Sequence, residues 1–360
     1  MATIKDVAAL AGVSLGTASR VLSGSSQTSP DSRARVTAAA EQLKYIANGP
    51  ARSLRRSRTE VLGLLVSDIR NPFFSELAHA AEREAQRRGY TVLLANADED
   101  AAQEAAYLRT FASQRIDGLL IAPQGSDLTR LQAVRDSGLP LVFVDRSVDG
   151  IDVPTISTDN ADGVRRALTW LHGRGHREVA FVGGPPGIST GSERRAAFLQ
   201  IRDELGLSAD PRLLAHGDFR AESGVEAMRA VLASGARPTA VLSADGLMTL
   251  GVAHALREEP ARSLGAIEIV SFDDLDWFSL VSPPISAVRN DATAIGRLGV
   301  GALVDIIEGR PAASRRVETS FVDRSGEAAG SAGSAGSAAS SDAAASDDPA
   351  ASDDPAGAGA

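Results

Sequence analysis

Residues 2–22, ATIKDVAALAGVSLGTASRVL, read as two short helices joined by the tight turn Gly12-Val13-Ser14. Thr3 is placed to cap the first helix, with Asp6 three residues on as its capping-box partner. Ile4, Val7, Ala8 and Ala11 recur at helical spacing and predict one buried face. Gly12 stands where a helix C-terminus favours a residue free to take positive φ. Ser14 caps the second helix, and Val13 can staple against Ala18. On that helix Ala18, Val21 and Leu22 face inward, leaving Gly16, Thr17, Ser19 and Arg20 outward. Leu15 either projects outward or packs back toward Ala18. Ser29-Pro30 opens a third helix in the preferred N-cap and N1 order, with Val36, Ala39, Ala40 and Leu43 as its buried stripe. Three helices so arranged form a helix-turn-helix unit, which can lay its second helix in a DNA major groove.

Charge points the same way. Residues 1–58 carry nine Lys/Arg against three acids, a balance of +6, while the whole chain of 360 residues stands at −9. A basic head on a body of −15 is the asymmetry of a nucleic-acid-binding module fused to something else. The sequence has no run of about 18 apolar residues, the length of a membrane-spanning helix. It has no apolar leader near its N-terminus, which predicts a cytoplasmic protein. Cysteine is absent, so disulfides and thiolate catalysis are excluded.

From Val61 to about Arg324, apolar runs alternate with amphipathic stretches: VLGLLV, TVLLAN, GLLIA and LVFVD, then VAFVGG, AVLSA and IEIVSF. That rhythm predicts parallel sheets with helices on both faces, and its length suits two lobes rather than one. From Ser325 the composition collapses to Ala, Ser, Gly, Asp and Pro, which cannot bury a core and predicts a disordered tail over 325–360.

The runs TIKDVAALAGVSLGTASRVLSG, SPDSRARVTAAAEQLKYIAN and ARSLRRSRT resemble the head and hinge of the lactose-repressor/galactose-repressor family of bacterial transcription factors. The similarity continues through VLGLLVSDIRNPFFSEL, RIDGLLIAP, VFVDR, STDN, GHREVAFVGG, RPTAVLSADGLMTLG and IVSFDDLDWFSLVSPPISAVRND, covering roughly residues 1–324. The resemblance implies a helix-turn-helix domain at 1–47, a hinge helix and linker at 48–60, and a periplasmic-binding-protein-like effector and dimerisation body at 61–324. Its two lobes are expected at 61–158 with 288–312, and at 159–287 with 313–324.

Carried over by position, the recognition helix is Leu15–Leu22, with Arg20 able to fork onto a guanine edge. The implied DNA contacts are Ile4, Ser14, Leu15, Gly16, Thr17, Ser19, Arg20, Ser23, Ser29, Ser32, Asn48, Ala51, Arg52 and Leu54. Leu54 matches the leucine that wedges open a central base step in the minor groove. A head that reads half a site implies a homodimer on a palindromic operator. The implied effector contacts are Phe73, Asp145, Thr190, Arg194, Phe219, Asp245 and Asp273, a set of carboxylates, a guanidinium and aromatic rings suited to a sugar. Asp145 and Asp245 could equally be helix caps, and Phe73 core. Ala244 stands where many members have Asn, and Ile188 where purine-binding members have Arg.

The resulting expectation is an allosteric repressor, without cofactor or metal, whose partners are operator DNA, a second copy and a carbohydrate effector. The alternative is a corepressor-dependent repressor or activator answering to a non-sugar ligand. A transport-type sugar-binding protein would need a signal peptide and no basic head. For an enzyme, the five histidines show no metal-ligand spacing, GGPPG at 183–187 matches no phosphate loop, and no GxSxG elbow occurs.

Overall fold

The computed structural model describes residues 2–23, 27–45, 58–125, 128–258 and 267–326. The expected hinge contacts Asn48, Ala51, Arg52 and Leu54 lie outside the described residues, as does the tail beyond Gly326.

The head comprises α1 (Ile4–Leu10), α2 (Leu15–Leu22) and α3 (Pro30–Gln42). Thr3 and Asp6 form the reciprocal capping box, with Thr3 N donating to Asp6 Oδ2 at 2.7 Å. Gly12 takes φ 61°, ending α1 as its lack of a Cβ allows. Ser14 Oγ accepts from Thr17 N, and Ser29 Oγ from Ser32 N, so each later helix begins on a hydroxyl cap. Val7, Ala8, Ala11, Ala18, Val36 and Ala39 make the small core, and Ile4, Val13, Val21 and Leu22 pack half-buried around it.

The first lobe is a six-stranded parallel sheet. Its strands are β1 (Val61–Val66), β2 (Thr91–Asn96), β3 (Gly118–Ile121), β4 (Leu141–Val144), β5 (Thr155–Thr158) and β11 (Arg315–Val317), ordered β11-β5-β4-β3-β1-β2. α4 (Pro72–Arg87) and α11 (Ala292–Ile307) share a core on one face with Leu62, Leu64, Val142 and Val144. Gly296 permits their close approach, since a Cβ there would lie 2.4 Å from Leu77 O. α5 (Ala101–Gln114) and α6 (Leu128–Asp136) cover the other face through Leu108, Phe111 and Leu131.

The second sheet runs β12-β10-β9-β8-β6-β7. It is built from β6 (Val179–Gly183), β7 (Leu214–His216), β8 (Ala240–Ser243), β9 (Glu268–Phe272), β10 (Ser286–Arg289) and β12 (Ser320–Val322). All its pairs are parallel except β10 with β12. α7 (Asn160–Gly173), α8 (Ser189–Glu204), α9 (Ala221–Ala233) and α10 (Gly246–Glu258) flank it, with Phe181 stacked on Phe198 at 4.5 Å in its core.

The chain crosses between lobes three times. The first crossing follows Thr158, the last residue of β5. The second comes after Arg289 rather than before Val288, because β10 stays paired with β9 through Val288. The third comes after Val317 rather than at 313. Arg315–Val317 pairs with β5 of the first sheet, so residues 313–317 belong to the first lobe.

Candidate functional site

The carboxyl ends of the strands in both lobes face one another across a cleft, the position at which open α/β sheets hold ligands. All seven expected effector residues meet there. Phe73, Asp145, Thr190, Arg194, Phe219, Asp245 and Asp273 line one cavity together with Asn71, Phe74, Arg146 and Asn290. Its volume is about 20 Å³, the space of a single water molecule, so the lobes are shut on their own side chains.

Each side chain is held from a sheet end or a helix start. Arg194, in α8, donates from Nε to Asn160 Oδ1 at 2.8 Å and from Nη1 to Ala244 O at 2.6 Å, and its guanidinium lies 3.7 Å over the Phe272 ring. Asp245 caps α10, accepting from Met248 N at 2.9 Å, while its other oxygen accepts from Asn71 Nδ2 of the opposite lobe at 3.0 Å. Cap and cleft group are therefore the same carboxylate. Asp273 accepts from Asn290 Nδ2 at 2.9 Å and Gly246 N at 3.3 Å. Phe73 is buried edge-on against Phe74, with centroids 5.1 Å apart. Asp145, Phe219 and Asp273 hold φ of 63°, 69° and 72°, which aims their side chains into the cleft at a local backbone cost. Phe219 also depends on Gly184, where a Cβ would stand 2.2 Å from its ring.

Arg146 was not foreseen. Its guanidinium is bound by Glu99 at 2.6 and 2.8 Å and lies between the rings of Phe74 (5.7 Å) and Phe219 (5.1 Å) from the two lobes. Arg146 Nε and Asp145 Oδ1 are buried without a hydrogen bond, although Arg146 Nε faces Asp145 Oδ2 at 3.8 Å. Asn71, Phe74 and Arg146 lie within two residues of Phe73 or Asp145, in NPFF and VFVDR, and that adjacency was the available signal, whereas Asn290 had none beyond its place in the quoted run AVRND.

Burial sets the electrostatics. It pushes the Asp145 carboxyl up to about 6, against the pull of Arg146 and Arg194. Burial, with the nearby Asp273 charge second, pushes Asp245 up to about 8.

In the head, α2 presents Leu15, Gly16 and Arg20 to solvent, and Leu15 is 44 % exposed rather than packed back on Ala18. Thr17 and Ser19 are half-buried. The Ser14 and Thr17 hydroxyls bond each other at 2.9 Å, Ser23 Oγ donates to Arg20 O, and Ser29 Oγ donates to Ser32 Oγ. Ile4 is half-buried against the head core. Among the described residues no group of three acids or histidines could hold a metal ion, and no helix is long and apolar enough to cross a membrane.

A helix-turn-helix head followed by two α/β lobes closing on a polar cavity defines a ligand-responsive DNA-binding regulator. Residues 3–48 match the model of bacterial regulatory proteins, lacI family, and residues 59–318 that of periplasmic binding proteins and sugar binding domain of LacI family. The chain belongs to the LacI family of transcriptional regulators. It is 31% identical to the ribose operon repressor of Bacillus subtilis (strain 168) over 319 residues, 88% of this chain and 95% of that one. Among solved structures it is similar to the lac repressor dimer bound to operator and the anti-inducer ONPF, with TM-score 0.80, 27% identity, and 89% and 98% of the two chains covered. A complex of the transcriptional regulator CelR with cellobiose matches with TM-score 0.68 and 30% identity over 90% and 99% of the chains.

Proposed function

We propose that this regulator is a cytoplasmic repressor that binds a palindromic operator as a homodimer and is controlled by a neutral sugar held between its lobes. The carrying observation is that seven residues, spread from 73 to 273, converge from both lobes on one buried polar cavity. Aromatic faces from Phe73 and Phe219, carboxylates and Arg194 are the groups that grip a hydroxylated ring. With Asp245 raised to about 8 and so mostly protonated near neutral pH, the carboxylates of Asp145 and Asp273 still outnumber Arg194, because Arg146 is already taken by Glu99. An anionic sugar phosphate would meet that surplus unpaid, whereas neutral hydroxyls can donate to the carboxylates and accept from Arg146 Nε. Ile188 is buried in the second lobe's core, which disfavours a purine at that end.

Dimer formation is supported by apolar side chains exposed in both lobes: Leu93 and Leu94 on edge strand β2, and Leu250 and Leu280 in the second lobe. Arg20, exposed on α2, is the assigned base reader, with Leu15 touching a thymine methyl and Gly16 beside it. Of the seven other head contacts, Thr17 and Ser19 reach bases or phosphates, and Ile4, Ser14, Ser23, Ser29 and Ser32 help to seat the head on the DNA. The hinge contacts Asn48, Ala51, Arg52 and Leu54 enter the minor groove. The chain needs no reaction to do this.

A thermal-shift screen of mono- and disaccharides and their phosphates, followed by operator binding with each hit, tests the reading. A neutral sugar should raise the melting temperature and change operator affinity. Stabilisation by sugar phosphates alone would refute the neutral-ligand assignment. Deleting residues 1–58 should abolish operator binding and leave sugar binding intact.

A further inference from the structure

A second cavity, of about 1040 Å³, lies in the first lobe away from the inter-lobe site, at the end where β1, β3 and β4 begin. Its floor is apolar, with Leu108 and Phe111 of α5, Ile116, Leu119 of β3, Val134 of α6 and Ile307 of α11. Four arginines line it: Arg58, Arg109, Arg115 and Arg130. Asp117, the one acid among its described lining residues, is occupied by the chain itself. It accepts from Thr59 N at 2.7 Å, Thr59 Oγ1 at 2.8 Å and Glu60 N at 2.8 Å. Arg58 Nη2 donates to Ile307 O at 2.9 Å across the same wall. The cavity is thus apolar below, cationic around its rim, and bounded on one side by the residues that lead back toward the DNA-reading head.

We propose that this groove is a second ligand site, taking a small amphipathic organic anion. Arg109 and Arg115, both exposed at the rim, would pair with an acidic head group, while an aliphatic or aromatic body covers the floor. The volume is that of a small-molecule pocket, and an apolar lining with a few convergent charged groups is the usual composition of one. A neutral ligand would bring no counter-charge to Arg109 and Arg115, and a compact anion would leave the floor wet. Both features are matched only by a molecule that has both parts. Because Arg58 and Thr59 form part of the wall, occupancy bears on the hinge entry directly, as an input separate from sugar.

Fluorescence titration of the full chain with 1-anilinonaphthalene-8-sulfonate, with decanoate and decan-1-ol as competitors, tests the proposal. The expected result is saturable binding of one probe per chain, displaced by decanoate about tenfold more effectively than by decan-1-ol. Arg109→Gln with Arg115→Gln should weaken the probe about tenfold, and Ala133→Trp, which fills the groove from an exposed position of α6, should abolish it. Ala112→Trp on α5 serves the same end if Ala133→Trp does not fold. Asp273→Asn, in the inter-lobe cleft, should leave probe binding unchanged. Equal binding by the wild type and the filled variants would overturn the proposal, placing the probe on another apolar surface. So would equal displacement by the alcohol, or binding that tracks protein concentration as an interface between copies would.

Discussion

Arg194 shows how one side chain can serve both stability and recognition. It is almost fully buried, yet it satisfies Asn160 Oδ1 and Ala244 O and stacks on Phe272. Arg194→Met keeps the stem and removes the charge, leaving both acceptors without that donor. The expected loss is about 3 kcal/mol of stability, read by denaturant unfolding, together with loss of sugar-induced stabilisation. A second expectation concerns protons. Asp145 and Asp245 both have carboxyls raised above their ordinary value in the closed fold. Below about pH 4 both states carry the proton and the two groups impose no penalty. As pH rises through about 6 and then 8, the folded chain must either keep a proton the unfolded one has lost or bury a charge, so stability falls. Unfolding midpoints should decline from about pH 4 to 8 and level off above, and Asp145→Asn should flatten the part of the decline between about 4 and 6. The seven residues that meet in the cleft were named in advance because the resemblance fixes their places in the sequence. Arg146 was not, because its place between Phe74 and Phe219 depends on two lobes meeting. Periodicity along one chain carries no trace of that meeting.

At the level of elements, one carboxylate anchors the described residues behind the head. Asp117, just ahead of β3, collects three hydrogen bonds from Thr59 and Glu60, and Thr59 Oγ1 also reaches Arg115 O. Asp117→Asn loses the charge and one acceptor oxygen. The body should still bind sugar with unchanged affinity, while the change in operator affinity on adding sugar shrinks severalfold. Calorimetry and fluorescence anisotropy on the same variant would separate the two, and a fall in sugar affinity would contradict the assignment. The capped helices of the head and the buried apolar strands β1, β3, β4, β6, β8 and β9 were legible, since caps and buried runs are local signals. The short edge strands were not. Arg315–Val317 reads as a charged, exposed stretch, and only its pairing with β5 makes it a strand of the first sheet. Hence the third crossing was placed five residues early.

For the molecule as a whole, the head and the cleft put their charges in opposite environments. Head cations such as Lys5, Arg20, Arg33 and Lys44 are exposed, whereas Asp145, Arg146, Arg194, Asp245 and Asp273 are buried among one another. Salt acts on the first set by competing with released counterions and hardly reaches the second. Operator affinity should therefore drop by roughly a thousandfold between 50 and 200 mM salt if each dimer neutralises six or more phosphates. Sugar affinity over the same range should change less than about twofold, as expected for groups shielded from the ionic atmosphere. The lobes close only by sealing those groups from water, so the ligand must enter an opened form and differ in its affinity for the two states to influence DNA. If sugar affinity instead fell in parallel with operator affinity, the binding charges would have to be solvent-facing. The ligand would then sit at the lobe surface rather than between the strand ends.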